Sequence, residues 1–197
     1  MNFSRRISYT LVQFFVLRFC SSLDTISKTQ LFRDGDVLIS TGEKFALGFF
    51  SPGKSNYRYV GIWCHKVPEN SVVWVANRDN PINDTSGFLS IDTHGNLVML
   101  HEDNDQTVRL WSTNASTSST NNSVARLLDS GNLVLFQKQS KKLLWQSFDD
   151  PTNTMISYMK LGIDRRTWLK RFLTSWKSED DPGTGNYTYN IASDFLV

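Results

Sequence analysis

The chain has 197 residues, enough for one full domain and part of a second, and its 40% hydrophobic content is that of an ordinary globular protein. The aromatic share of 13% favours strands over helices. A net charge of +2, with only short basic patches such as 138–142, excludes a typical nucleic-acid binder.

Residues 1–23 have the features of a secretory signal peptide. Arg5 and Arg6 give it a positive start, an apolar stretch follows at 11–17, and two small serines precede its end. The apolar stretch is too short to span a bilayer, and the alternative is a buried N-terminal strand. Removing the segment takes away three of the 21 basic residues and none of the 19 acidic ones, so the mature net charge becomes −1.

The cysteines and the glycosylation triplets give further evidence on secretion and on disulfide bonding. Cys20 lies in the leader, so Cys64 stands alone in the mature chain. This excludes a disulfide framework and leaves either a buried thiol or an intermolecular bridge. Four Asn-X-Ser/Thr triplets after the leader support the secretory route, and we expect them in exposed loops. Their asparagines are Asn83, Asn114, Asn121 and Asn186.

An internal repeat is the most informative feature. The segments 92–100 and 128–136 share Gly-Asn-Leu-Val followed by two apolar residues, and their asparagines, Asn96 and Asn132, lie 36 positions apart. Tryptophans recur at spacings of 37 and 34 residues, at Trp74, Trp111 and Trp145. Such a period is typical of stacked or radially arranged units, and 31–63 has the length of a third, divergent unit.

Each unit predicts short strands. Gly95 and Gly131 can adopt the positive φ of tight turns, and the flanking residues alternate or run apolar as strands do. One such unit cannot bury its apolar face alone, whereas three around an axis can, with a tryptophan from each near the centre. We therefore expect an all-β fold in which the tryptophans hold the core and contact no ligand.

The sequence changes in character after residue 150. A turn-rich segment at 149–154 precedes a basic and aromatic stretch at 165–177, and 187–191 is strand-like. No stretch after the leader predicts a membrane span, a kinase glycine loop or a cysteine-rich region. We expect 187–197 to lack partner strands and to form an exposed edge.

Several long motifs, in order, resemble the bulb-type (monocot mannose-binding) lectin domain of plant G-type lectin S-receptor-like serine/threonine kinases and S-locus glycoproteins. They lie at 24–26, 45–53, 59–63, 72–81 and 144–152, and at 173–177 with 181–182. The resemblance implies a β-prism of three four-stranded sheets with pseudo-threefold repeats, followed by a partial β-rich domain. It divides the chain into a signal peptide at 1–23, a lectin domain at 24–149, and a linker with the truncated start of an S-locus glycoprotein domain at 150–197. A complete relative would add cysteine-rich modules, a membrane span and an intracellular kinase.

The resemblance also implies where sugar would bind. In the family, Gln, Asp, Asn, Val and Tyr at alternate positions of one strand share a face and form a mannose pocket. These positions fall on Asp92, His94, Asn96, Val98 and Leu100 in the first repeat, and on Leu128, Ser130, Asn132, Val134 and Phe136 in the second. Only Asn and Val persist in both. The candidate sugar-binding residues are therefore Asp92, His94, Asn96, Val98, Asn132 and Val134, with the first repeat as the better site.

A millimolar site has only about 4 kcal/mol of standard binding free energy, and each net hydrogen bond contributes about 0.5–1.5 kcal/mol. The repeats lack several of the polar residues of the family pocket, and this loss can therefore abolish mannose binding. The alternative interpretation is structural: the asparagines bond backbone in a turn and the valines fill the core. If Asp92 and Asn96 line an open groove, sugar binding gains support. If both are packed, a protein-binding or dimerisation module does.

An enzyme is a weaker alternative. Ser51 and Lys54 match a Ser-x-x-Lys nucleophile pattern, but the Pro-Gly pair between them predicts an open turn. The three histidines show no metal-ligand spacing, and the acid pairs beside prolines, at 149–150 and 180–181, are expected in solvated turns. We predict no catalytic residue, no metal and no cofactor.

The sequence thus predicts a secreted module, or the plasma-membrane ectodomain of a longer relative. Its expected partners are a mannose-type glycan or glycoprotein, or else a protein partner or second copy. Nucleic acid and a membrane span are not expected. The resemblance connects such modules with recognition of pollen or with defence.

Overall fold

The computed structural model describes residues 24–67, 71–104, 106–115 and 122–191. The predicted signal peptide, Cys20 and Asn121 lie outside these ranges. Within them the chain forms β-strands and a single-turn 3-10 helix, Ser147–Asp149, and no α-helix. The all-β class predicted from the sequence is confirmed.

Twelve strands form three four-stranded antiparallel sheets. The first sheet consists of β3 (Val37–Ile39), β4 (Phe45–Phe50), β5 (Tyr59–Cys64) and β6 (Val72–Val75). The second consists of β2 (Phe32–Arg33), β7 (Phe88–Ile91), β8 (Leu97–Asp103) and β9 (Gln106–Ser112). The third consists of β1 (Thr25–Ser27), β10 (Ser123–Leu127), β11 (Leu133–Gln137) and β12 (Leu143–Gln146). Each sheet thus combines three consecutive strands with one N-terminal strand, as expected for a β-prism.

In the second and third sheets, the repeated sequence forms the last two of the four strands, counted across the sheet from the N-terminal strand. Gly95 (φ 81°) and Gly131 (φ 83°) form the predicted tight turns, and the Leu-Val runs after them begin β8 and β11. The tryptophan strands β9 and β12 follow. The divergent unit occupies 37–75 rather than 31–63, because the first sheet begins at β3 and ends with the tryptophan strand β6.

Alternate side chains of the central strands point into the prism. Leu47 on β4, Leu97 on β8 and Leu135 on β11 are fully buried and belong to one apolar cluster that draws on all three sheets. Burying one such side chain contributes about 1.5–3 kcal/mol. The three sheets therefore share a single core.

The three repeat tryptophans meet at one end of this core. Their ring centroids are 5.7–5.9 Å apart and every pair is edge-to-face, which contributes about 0.5–1.5 kcal/mol a pair beyond burial. Directly before each tryptophan, the tryptophan strand carries one extra residue without a partner on the central strand: Val73, Leu110 or Leu144. Such a bulge bends the strand and redirects its side chains. The predicted central position of the tryptophans is confirmed.

Two hairpins follow the prism. β13 (Gly162–Ile163) pairs with β14 (Lys170–Arg171), and β15 (Leu173–Ser178) pairs with β16 (Asp181–Tyr189). The expectation that residues from 187 onward lack partner strands is wrong for Tyr187–Tyr189, because Leu173 and Thr174 lie opposite Tyr189 and Thr188. Residues 192–197 lie outside the described ranges.

The β15–β16 hairpin is clamped to the first sheet. Arg78, just after β6, donates to the backbone carbonyls of Ser175 (2.8 Å), Pro182 (2.9 Å), Thr174 (3.2 Å) and Gly183 (3.3 Å). Asp79 accepts hydrogen bonds from the backbone N–H and the hydroxyl of Thr184, both at 2.8 Å. Burial lowers the pKa of Arg78, which the neighbouring Asp79 partly offsets.

Candidate functional site

The turn before β8 holds the first-repeat candidates in an internal network. Asp92 Oδ1 accepts hydrogen bonds from the backbone N–H groups of His94 (2.8 Å) and Asn96 (2.9 Å). Its Oδ2 accepts one from Arg109 at 3.2 Å. The Asp92 side chain is only 10% exposed, whereas that of His94 is 77% exposed. Asp92 therefore stabilises its own turn.

Asn96 and Val98 are also packed. The side-chain oxygen of Asn96 accepts hydrogen bonds from the Thr113 hydroxyl (3.0 Å) and the Ala115 backbone N–H (2.7 Å). Asn96 is 9% exposed and Val98 is 1% exposed. Since Asp92 and Asn96 are both packed, the first repeat offers no open groove at these residues, which favours a protein-binding module over mannose binding there.

The second repeat places its asparagine in the same way. Asn132 Oδ1 accepts hydrogen bonds from the Ser147 hydroxyl (3.1 Å) and the Phe148 backbone N–H (3.2 Å). Its amide donates to Gln146 Oε1 at 2.9 Å. Val134 on the next outward position is buried. Both asparagines thus join the start of a central strand to the end of a tryptophan strand.

In contrast to the first repeat, the second repeat borders a cavity of about 490 Å³ over the third sheet. We call it the third-sheet groove. The residues that matter for its chemistry are Ser130, Asn132, Gln146, Asp149, Tyr158 and Arg171. Its volume lies within the range of small-ligand sites, about 300–1,000 Å³.

A chain of polar groups runs along the groove wall. From Asn132 it continues through Gln146, whose amide donates to Asp149 Oδ2 at 3.1 Å. Asp149 Oδ1 accepts two hydrogen bonds from Arg171, at 2.6 and 2.8 Å. Asp149 lies in the Ser147–Asp149 turn with its side chain 29% exposed, and it pairs with Arg171 of β14, a contact that the sequence did not predict.

The opposite wall is formed by the segment between β12 and β14. Tyr158 is 84% exposed and has a positive φ of 73°, a conformation that non-glycine residues rarely adopt. Lys160 and Asp164 also line this wall. The hydrogen bond from the N–H group of Arg166, together with that from Thr167, lowers the pKa of Asp164 against the opposing effect of desolvation. Sequence reasoning missed Gln146, Tyr158 and Arg171 because no strand pattern connects them.

The corresponding face of the first sheet is closed. Phe50, Tyr59, Val72 and Val75 form an apolar cluster on it, and Trp176 of β15 packs against that cluster. Burial, with the carboxylate of Asp181, raises the pKa of the Tyr59 phenol to about 12. The three outer faces therefore differ: the first is covered, the second is internally bonded, and the third carries an open groove.

The remaining predicted positions are scattered. Asn83 and Asn114 are exposed in loops, whereas Asn186 is exposed on β16 rather than in a loop. Cys64 is a free, half-buried thiol that packs partly against the core. The Ser51 hydroxyl donates to the Tyr57 carbonyl (2.8 Å).

In the described part of the chain, no helix has the length and apolar character needed to cross a membrane.

Comparison with known proteins shows the family of the chain. The model of the D-mannose binding lectin family matches residues 71–177. The chain is 48% identical over 182 residues to the G-type lectin S-receptor-like serine/threonine-protein kinase RKS1 of Arabidopsis thaliana, covering 92% of this chain and 22% of that protein. It is 42% identical over 196 residues to the S-locus-specific glycoprotein S6 of Brassica oleracea, covering 95% of this chain and 44% of that protein.

Among solved structures, the Japanese Marasmius oreades lectin covers 64% of this chain and 92% of its own, with 18% identity and a TM-score of 0.45. The chain thus spans about a fifth of the receptor kinase and less than half of the S-locus glycoprotein.

Proposed function

This chain belongs to the D-mannose binding lectin family, and from that premise we propose that it is an extracellular carbohydrate-recognition module whose ligand occupies the third-sheet groove. Its receptor-kinase and S-locus glycoprotein relatives support an extracellular position. The matched region is the lectin part of these proteins, and we propose that this chain itself catalyses nothing. Any kinase activity would reside in a part of a longer protein that this chain does not contain.

The polar chain of the third-sheet groove carries this proposal. Among the described residues, Asn132 uses both acceptor positions and one of its two amide hydrogens, which leaves one N–H toward the groove. Gln146 and Arg171 have further N–H groups beyond those already bonded. Fixed donors and acceptors of this kind match the hydroxyl groups of a sugar, and the exposed Tyr158 ring can pack on its apolar face.

Mannose binding of the family type at the first repeat is not part of the proposal. Asp92 and Asn96 would have to break hydrogen bonds within the protein to bind a hydroxyl. Each exchange would gain little, because a net hydrogen bond contributes only about 0.5–1.5 kcal/mol. A weak site cannot tolerate several such exchanges.

The test is a titration of the whole chain, secreted from plant cells, with mannose and with a high-mannose glycan. We compare Gln146→Ala in the groove with Arg109→Ala on the second sheet. We expect saturable binding that weakens by about 2- to 13-fold in Gln146→Ala, the equivalent of one hydrogen bond, and is unchanged in Arg109→Ala. Loss in Arg109→Ala alone would move the site to the first repeat. Absence of saturable binding to either sugar would overturn the carbohydrate proposal.

Recognition of a protein partner or a second copy is the second candidate. It is favoured by the packed first-repeat residues and by exposed aromatic side chains after residue 150, among them Tyr158, Trp168 and Tyr187. Light scattering during size-exclusion chromatography tests self-association directly. A dimer that Tyr187→Ser and Trp168→Ser dissociate supports this candidate, whereas a monomer at all concentrations removes the second copy as its partner.

A further inference from the structure

A second cavity, of about 590 Å³, lies at the tryptophan end of the prism. We call it the tryptophan-end cavity. Half-buried Trp111 and Trp145 line it together with Asp150. Asp150 Oδ2 accepts a hydrogen bond from Trp145 Nε1 at 3.0 Å, and its backbone carbonyl accepts one from Trp74 Nε1 at 2.9 Å. The cavity thus combines indole surface with an exposed carboxylate.

Asn114, the acceptor asparagine of the second glycosylation triplet, lines this cavity. It is exposed and has a φ of 46°, in the left-handed region that asparagine tolerates better than most residues. Its neighbours on both sides, Thr113 and Ala115, donate to the buried side-chain oxygen of Asn96. Asn114 is therefore held in a fixed place beside the cavity.

We propose that Asn114 is N-glycosylated and that the first N-acetylglucosamine of its glycan packs into the tryptophan-end cavity. In the transfer, the bond between C1 of the sugar and a lipid diphosphate breaks and a bond from C1 to Asn114 Nδ2 forms. The amide nitrogen loses one proton and the lipid diphosphate leaves. The apolar face of the attached sugar then covers Trp111 and Trp145, and its hydroxyls reach the carboxylate of Asp150.

Two features of the cavity support this occupant. Indole surface beside polar lining side chains, among them Asp150 and Thr152, suits a ring that has an apolar face and a hydroxylated rim. The covalent link also removes most of the association entropy, so that even weak contacts hold the sugar in place. This inference is independent of ligand binding in the third-sheet groove.

The experiment uses the whole chain secreted from plant cells, with glycans trimmed enzymatically to a single N-acetylglucosamine. Glycopeptide mass spectrometry measures occupancy at Asn114, and NMR compares the acetyl methyl resonances of the sugars on Asn114 and Asn186. Asn114→Gln and Ser116→Ala identify the first resonance, and Asn186→Gln identifies the second. Iodide quenching of tryptophan fluorescence measures how far the indoles are covered.

We expect Asn114 to be occupied and its acetyl methyl resonance to be shifted upfield by the indole rings relative to that on Asn186. We also expect quenching to increase when either Asn114→Gln or Ser116→Ala removes the sugar, but not in Asn186→Gln. An unmodified Asn114 would overturn the proposal. So would two acetyl resonances at the same position with unchanged quenching, since the sugar would then point into solvent.

Discussion

The second and third sheets begin their central strands with the same Gly-Asn-Leu-Val sequence, yet their outer faces differ. In the second sheet, Asp92 and Arg109 complete a bonded network around Asn96. In the third, Ser130 replaces His94, Gln146 and Asp149 take part in the network, and a separate hairpin supplies Arg171. Equivalent backbones therefore present different chemistry, because the side chains that complete each face come from neighbouring elements.

The largest effect is expected at the clamp that closes the first sheet. Arg78→Ala removes the guanidinium from four backbone carbonyls, and hydrogen bonds to a charged group contribute about 1.5–3 kcal/mol each, with incomplete additivity. We expect a loss of about 3 kcal/mol in free energy of unfolding or release of the β15–β16 hairpin. Chemical denaturation measures the free energy of unfolding, and hydrogen exchange measures the release of the hairpin.

Arg78→Lys should recover only part of the loss, because an ammonium group cannot reproduce the planar donor arrangement. A wild-type value in Arg78→Ala would show that the packing of Trp176 and the hydrogen bonds between Asp79 and Thr184 suffice to hold the hairpin.

The next effect tests whether the two repeat asparagines are structurally equivalent. Asn96→Ala leaves the Thr113 hydroxyl and the Ala115 N–H without their acceptor, and Asn132→Ala does the same to Ser147 and Phe148. Each group left unsatisfied costs about 1–3 kcal/mol. We expect similar losses of about 2–4 kcal/mol for both variants in chemical denaturation. Asn→Asp at each position keeps the acceptor but buries a carboxylate, and at 132 it removes the amide that donates to Gln146, so it should recover only part of the loss. A neutral Asn96→Ala would contradict the structural role assigned to the second sheet.

A smaller effect, on glycan binding, is expected to distinguish two exposed aromatic residues that both have a positive φ. Tyr158 (φ 73°) lines the third-sheet groove, and Trp168 (φ 60°) does not line it. If the groove binds sugar, Tyr158→Ala should weaken glycan binding by about tenfold, the equivalent of about 1.4 kcal/mol, and Trp168→Ala should leave it unchanged. Neither should alter the thermal unfolding midpoint appreciably. Equal loss in both variants would place the ligand on the aromatic surface rather than in the groove.

The smallest effect is a pH dependence of the clamp. Burial alone would raise the pKa of Asp79, but the hydrogen bonds from Thr184 and the charge of Arg78 outweigh it and hold the pKa below its ordinary value of 3.8. The stability from this carboxylate is therefore fully present above the ordinary value and is lost as the pH falls through the lowered one. Denaturation between pH 5 and pH 2 should show a steeper loss in the wild type than in Asp79→Asn. Parallel profiles would exclude Asp79 as the acid-sensitive group.

Much of the fold could be predicted because it depends on local patterns. The glycine turns, the apolar central strands and the tryptophan spacing each require only a few neighbouring residues to be interpreted. The site could not be predicted to the same extent. Val134 could be placed on a strand and Asn132 beside its start. Gln146, Asp149 and Arg171 follow Asn132 by 14 to 39 residues, and they join its network only through sheet pairing and hairpin docking.

The sequence by itself determined the all-β class, the repeat and the central tryptophans, because periodic burial and turn chemistry follow residue order. The lectin family followed from the resemblance of its motifs. Only the tertiary structure decided that Asp92 and Asn96 bond inward, that the hairpin covers the first sheet, and that the third sheet carries the groove. The physical reason is that a side chain's hydrogen-bonding capacity is fixed by its type, whereas the partners that use it are fixed by which strands come together.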